Sequence, residues 1–155
     1  MHPNARKISF TPQGLAQVTK EHEALIAKRP EAIAELKRAR EMGDLSENGA
    51  YKSARALVSQ IDSRLRHLSN LIRFAQVVEP PRNGNIGLNT YVRITDDNTE
   101  REFQIVGEHE SNPLEGKLSY TSPLGSVLMG KKQGDTVTVF TPKGSTVYTI
   151  LSTSA

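Results

Sequence analysis

Two hydrophobic rhythms divide this chain. From Pro12 to Met42 apolar residues recur at Leu15, Val18, Leu25, Ile33 and Leu36, close to the three-and-four spacing of a single helix face. The residues between them are mostly Ala, Glu, Lys and Arg, with His22 and Arg29 interrupting the stripe. Thr11 is the predicted N-cap and Pro12 the first helical residue, where a missing N–H costs nothing. Pro30 lies inside the pattern and is predicted to kink or briefly break the helix. A cleaner stripe follows from about Glu47 to Val77, through Ala54, Leu57, Ile61, Leu65, Leu68, Ile72 and Ala75, which reads as an a/d seam. Gly43 between them is a helix terminator suited to the left-handed conformation. Helices joined by so short a link fold back as antiparallel neighbours. At about 30 residues each they make a rod roughly 45 Å long.

Beyond residue 78 the period shifts to two. Glu79-Pro80-Pro81-Arg82-Asn83-Gly84-Asn85 ends the helix and reads as a linker. Alternation over 91–95, 102–106, 117–120, 136–140 and 146–151 predicts five strands, with turns at Asp96-Asp97-Asn98 and Thr141-Pro142-Lys143-Gly144. One short helix is expected between Pro123 and Met129. The predicted fold class is α+β: an antiparallel α-helical coiled-coil hairpin followed by a small antiparallel α+β domain. The expected divisions are a flexible N-terminal arm over 1–10, the hairpin over 11–78 with its tip at 43–48, a linker over 79–86, and the compact domain over 87–155.

Composition narrows the function. Hydrophobic residues make up 36% of the 155 and aromatics 5%, with no tryptophan; that is lean for one globular core and suits a solvent-bathed rod beside a small domain. A net charge of +3 permits contact with nucleic acid without demanding it. The absence of cysteine excludes disulfides and thiolate metal sites. No apolar run reaches the length of a membrane span, and residues 1–10 lack a signal-peptide core, so a cytoplasmic protein is expected. His2, His22, His67 and His109 are not spaced as a metal cluster; His22 and His67 are expected to meet across the helical seam.

The chemistry concentrates at the tip, Glu41-Met42-Gly43-Asp44-Leu45-Ser46-Glu47-Asn48-Gly49-Ala50-Tyr51. Asp44 and Glu47 support two readings. They fit a capping box that starts the second helix. Carboxylates are also hard oxygen ligands for Mg²⁺, which often takes one or two of them with water and phosphate completing its shell. Two ligands alone hold Mg²⁺ weakly, so this reading needs further ligands from a partner. The basic residues Lys37, Arg38 and Arg40 before the tip, and Lys52 and Arg55 after it, suit RNA phosphates, or else form a solvated face with pairs such as Glu35–Arg38. Tyr51 either packs on the first turn of its helix or stacks on a base.

Gly43-Asp44-Leu45-Ser46-Glu47-Asn48 followed by Tyr51 resembles the tip signature of the bacterial Gre transcript-cleavage factors. The resemblance continues through Asn112–Ser119, Ser122-Pro123-Leu124-Gly125, Leu128–Asp135 and Thr141-Pro142-Lys143-Gly144, covers roughly residues 10–151, and is closer to the GreA type than to GreB. It implies an FKBP-like C-terminal domain that docks on bacterial RNA polymerase through Ser122, Pro123 and Leu124. It also implies a coiled coil threaded through the polymerase's secondary channel. There Asp44 and Glu47 would help hold a second Mg²⁺ and position water, so that the polymerase cuts its own backtracked RNA at the 3′ end by two-metal hydrolysis. By the same resemblance Arg40, Lys52, Arg55 and Tyr51 would face that RNA. The protein would then be no enzyme, bind no cofactor stably, share Mg²⁺ with the polymerase, and take no small-molecule substrate.

Two positions depart from the family pattern. Gly49-Ala50 stands where Ala-Glu is common before the tip tyrosine, removing a carboxylate and loosening the helix start. Ser126 stands where arginine is frequent. The altered tip keeps open a Gre homologue that occupies the channel and inhibits. A coiled-coil interaction or chaperone-like adaptor is the rival of another class. A free-standing Mg²⁺ nuclease is disfavoured by the two-ligand tip.

Overall fold

The computed structural model describes residues 6–43 and 48–155. The chain forms two compact units: residues 16–74, and a second built from residues up to Leu15 together with Ala75–Ala155.

The first unit is the helical hairpin. α1 spans Pro12–Arg40 and α2 spans Gly49–Phe74. Ala32 and Ala39 are buried on α1, and Ile61, Leu68 and Leu71 on α2. The interruptions of the α1 stripe are answered in kind from α2. His22 Nε2 lies 3.0 Å from Ser69 Oγ, and Arg29 donates to Asp62 at 2.6 and 3.3 Å. His22 thus meets Ser69 across the seam. Arg64 donates to Glu21 at 2.7 and 3.0 Å. These pairs run in opposite directions along the two helices, which makes them antiparallel. Leu57 and Ile33, both placed in the seam by spacing, are exposed at 37% and 39%; the neighbouring Ala32 turns inward in place of Ile33. Pro30 does not interrupt α1, which is continuous from Pro12 to Arg40. Proline costs such a helix one backbone hydrogen bond, and the flanking Arg29–Asp62 pair holds that turn to its neighbour.

The second unit begins earlier than expected. Residues 8–10 are not a loose arm: β1 (Ile8–Phe10) pairs parallel with β2 (Ala75–Val77), and Phe10 is fully buried. α2 therefore stops at Phe74, and the chain the stripe assigned to its last turn is extended. Ala75 and Val77 suit either period, so pattern alone did not separate them. The main sheet has the order β5-β4-β3-β7-β6, from β3 (Tyr91–Thr95), β4 (Glu100–Val106), β5 (Lys117–Ser119), β6 (Thr136–Thr141) and β7 (Gly144–Ser154). It is mixed rather than wholly antiparallel, because β5 lies parallel to β4. The short helix α3 (Pro123–Leu128) contributes Leu128 to a core of Ile86, Val92, Ile94, Ile105, Val137 and Ile150. Ile86, at the end of the expected linker, belongs to this core and exchanges backbone bonds with Lys131 and Gly130 at 2.7 and 2.8 Å.

A carboxylate joins the start of α1 to the loop after β4. Glu110 accepts from Thr11 N and Gly107 N, both at 2.9 Å, and from the Thr11 hydroxyl. Thr11 in turn caps α1 by accepting from Gly14 N at 3.1 Å, as its position before Pro12 predicted. The close fit needs glycine: a Cβ on Gly107 would stand 2.0 Å from the backbone oxygen of Ser9.

Candidate functional site at the hairpin tip

α1 unwinds over Glu41 and Met42, whose N–H groups still donate to Lys37 and Ala39 at 3.2 Å. Gly43 follows at φ 123°, the left-handed region that only glycine adopts freely. It is the terminator the sequence suggested. Asp44, Leu45, Ser46 and Glu47 lie outside the described residues, and with them the expected capping box and both candidate metal ligands.

The chain resumes at Asn48, whose side chain joins the two helices. Its Oδ1 accepts from Tyr51 N at 3.1 Å, capping α2, and its Nδ2 donates to Ala39 O at 2.8 Å, near the end of α1. An asparagine amide can do both because it carries an acceptor and two donors. The N-cap of α2 is therefore Asn48. Sequence reasoning passed over this residue, although asparagine directly before a helical run is a strong cap signal.

Beside this neck the structure brings two predicted RNA-facing residues together. The Arg40 guanidinium sits 5.8 Å from the centre of the Tyr51 ring, a cation–π distance. Tyr51 thus packs at the helix start, with Arg40 over its ring. Lys52 and Arg55 are exposed and line a shallow groove with Tyr51, Ala56 and Ser59. No ion pair among the described residues engages either. Arg38 pairs with Glu35, as the solvated-face reading anticipated.

In the sheet unit, Ser122 is the N-cap of α3. Its hydroxyl accepts from Gly125 N at 3.0 Å and donates to Ser119 O at 2.7 Å. Pro123 follows as the first helical residue and is exposed, whereas Leu124 packs against the core. Gly125 is required here, since a Cβ would stand 2.0 Å from Ser119 O. Ser126 keeps its hydroxyl on Pro123 O at 3.0 Å.

Among the described residues no group of three or more His, Cys, Asp or Glu gathers to hold a metal. Among the same residues no helix is long and apolar enough to cross a membrane.

Comparison with known proteins accounts for both parts of the chain. Residues 8–77 match the family model "Transcription elongation factor, N-terminal", and residues 81–155 match "Transcription elongation factor, GreA/GreB, C-term". The chain is 40% identical over 150 residues to transcription elongation factor GreA of Nitratiruptor sp., covering 94% of this chain and 92% of that protein. It is 42% identical over 150 residues to GreA of Ruegeria pomeroyi, covering 94% and 96%. Among solved structures, GreA factor homolog 1 of Thermus thermophilus is 25% identical, with 97% of this chain and 100% of that one covered, at a TM-score of 0.46, an overlap too loose to bear on function. With both family models matched and GreA relatives aligned over nearly its whole length, the chain belongs to the GreA/GreB family of transcription elongation factors.

Proposed function

We propose that this protein stimulates bacterial RNA polymerase to cleave its own backtracked RNA, by carrying Asp44 and Glu47 into the polymerase active site on the hairpin tip. The observation that carries this reading is the neck. Asn48 already caps α2 and binds the end of α1, so the helix needs neither carboxylate as its cap. Family membership with 40–42% identity to GreA proteins supports the stimulatory reading over a channel-blocking inhibitor.

Two carboxylates suit Mg²⁺ only as part of a larger oxygen shell, which polymerase residues, water and RNA phosphate would complete. In a two-metal site one ion would activate the attacking water while the other stabilised the leaving oxygen. This chain's own residues would present charge and bind. Asp44 and Glu47 would supply acceptor oxygens for the ion and its water. Lys52 and Arg55 would neutralise phosphates of the extruded RNA 3′ end, with Arg40 and Tyr51 shaping the wall beside them. Ser122, Pro123 and Leu124 would form the docking loop on the polymerase. Pro123 is the exposed member, while Ser122 and Leu124 fix its position. The chain would hold no cofactor of its own and would work in the cytoplasm.

The test is a stalled, backtracked transcription complex carrying end-labelled RNA. Added protein should release short 3′ fragments and restore elongation, and should cut no RNA without polymerase. Slowed cleavage or synthesis would indicate the inhibitory homologue, and failure to bind polymerase would indicate an adaptor.

A further inference from the structure

The first turn of α1 lacks half of its own cap. A capping box places Ser or Thr at the N-cap and Glu or Gln three residues on, where that side chain accepts from the N-cap N–H. Here the N-cap is Thr11, and the residue three places on is Gly14, which has no side chain. The carboxylate comes instead from Glu110, 99 residues along the chain from Thr11. It accepts from Thr11 N at 2.9 Å, as a box glutamate would, and from the Thr11 hydroxyl. Gly14 makes room for it: a Cβ there would fall on the Glu110 carboxylate, and its three nearest neighbours would all be Glu110 atoms. Glu110 is itself tied to Gly107, directly after β4. Its carboxylate accepts from Gly107 N at 2.9 Å, and its own N–H donates to Gly107 O at 3.1 Å. Thr11 and Gly107 are both buried. All of these residues belong to the sheet unit, which includes the chain through Leu15.

We infer that Glu110 is a positioning residue for RNA cleavage: by capping α1 from the sheet, it fixes the direction in which that helix sets out toward the tip. The inference rests on the reading that the tip works inside the polymerase. A box carried on the helix itself moves with the helix and caps it at any angle. A carboxylate held on Gly107 caps it at one. The length of α1 makes that angle matter. The helix runs unbroken for 29 residues, about 43 Å at 1.5 Å per residue. Turning its first residues by about 5° would move the far end by about 4 Å on that length. Misplacing a reacting group by about 1 Å can cost a hundredfold in rate.

Returning the carboxylate to the helix separates capping from positioning. Gly14→Glu combined with Glu110→Ala rebuilds a local box, and the second change clears the space the first one needs. Three properties of the full chain are compared with wild type: the thermal melt by circular dichroism, competition with labelled wild type for polymerase, and cleavage of end-labelled RNA in a backtracked complex across protein concentrations. The double variant should melt and compete as wild type does. Its cleavage rate at saturation should fall about tenfold or more, with the half-saturating concentration unchanged. A folded, polymerase-bound double variant that cleaves at the wild-type rate would overturn the inference and leave Glu110 a cap. So would a defect confined to the half-saturating concentration, which would place Glu110 in docking. Should the double variant not fold, Glu110→Gln takes its place, since it keeps an acceptor for both N–H groups but not for the Thr11 hydroxyl. Its saturating rate should fall several-fold, and a wild-type rate would overturn the inference. Wild type that binds polymerase without stimulating cleavage would instead remove the underlying reading, and this inference with it.

Discussion

Asn48 holds the neck of the tip with one amide: Oδ1 caps α2 while Nδ2 reaches Ala39 O on α1. Removing it frees an N-terminal donor of one helix and a carbonyl of the other. Asn48→Ala should lower hairpin stability by about 1 kcal/mol, read from the midpoint of urea unfolding followed by circular dichroism. An unchanged midpoint would mean the neck is held elsewhere. Gly107 is a second residue with no substitute. Its missing Cβ leaves room for the backbone oxygen of Ser9 at 2.0 Å, and that oxygen belongs to a paired strand. Gly107→Ala should destabilise the sheet unit by about 1–3 kcal/mol, as overpacking does; a wild-type unfolding curve would contradict the placement of β1. Neither position stood out in the sequence. An asparagine in a tip rich in acids was read past, and Gly107 answers a strand some hundred residues away, which no local pattern encodes.

At the scale of elements, the hairpin shows why periodicity located the helices but misassigned parts of their faces. Spacing put Ile33 in the seam, yet α1 buries Ala32 and sets Arg29 and His22 against Asp62 and Ser69. Polar residues on a seam are legible only once their partners are known. These pairs carry a pH dependence. The Arg29 guanidinium, by its hydrogen bond, holds the Asp62 carboxyl below its ordinary value, and Arg64 does the same for Glu21. A carboxyl depressed in the folded state adds stability above its unfolded value, and that stability is lost as pH falls through the folded one. Hairpin stability should therefore be level near neutrality and decline only in acid, below the ordinary carboxylate range. In thermal melts the gap between wild type and Asp62→Asn should be present at pH 7 and close as pH falls. A gap of constant size would show that the pair contributes nothing through its charge.

At the scale of the molecule, the two rhythms located the change of architecture, and the family models divide near it, at residues 77 and 81. The compact units divide differently, because β1 returns to pair with β2 and carries the start of the chain into the sheet unit. Pairing between residues 8–10 and 75–77 is long-range and short, so neither strand announced itself. The candidate site shows the reverse. Its acids were plain in the sequence as a motif at the end of a rod, whereas the structure contributes the frame: a left-handed Gly43, the Asn48 neck, and a basic wall of Arg40, Lys52 and Arg55 beside Tyr51.

The central claim is that the carboxylates act in the polymerase and not as caps. The most direct measurement is the rate of RNA cleavage in a backtracked transcription complex, comparing wild type with Asp44→Asn at matched polymerase occupancy. With α2 capped by Asn48, the substitution should leave folding and binding intact while cleavage falls about a hundredfold or more, a loss on the scale of removing one charge-stabilising group from an active site. Equal cleavage by the two proteins, with both bound, would contradict the account and leave Asp44 a structural residue.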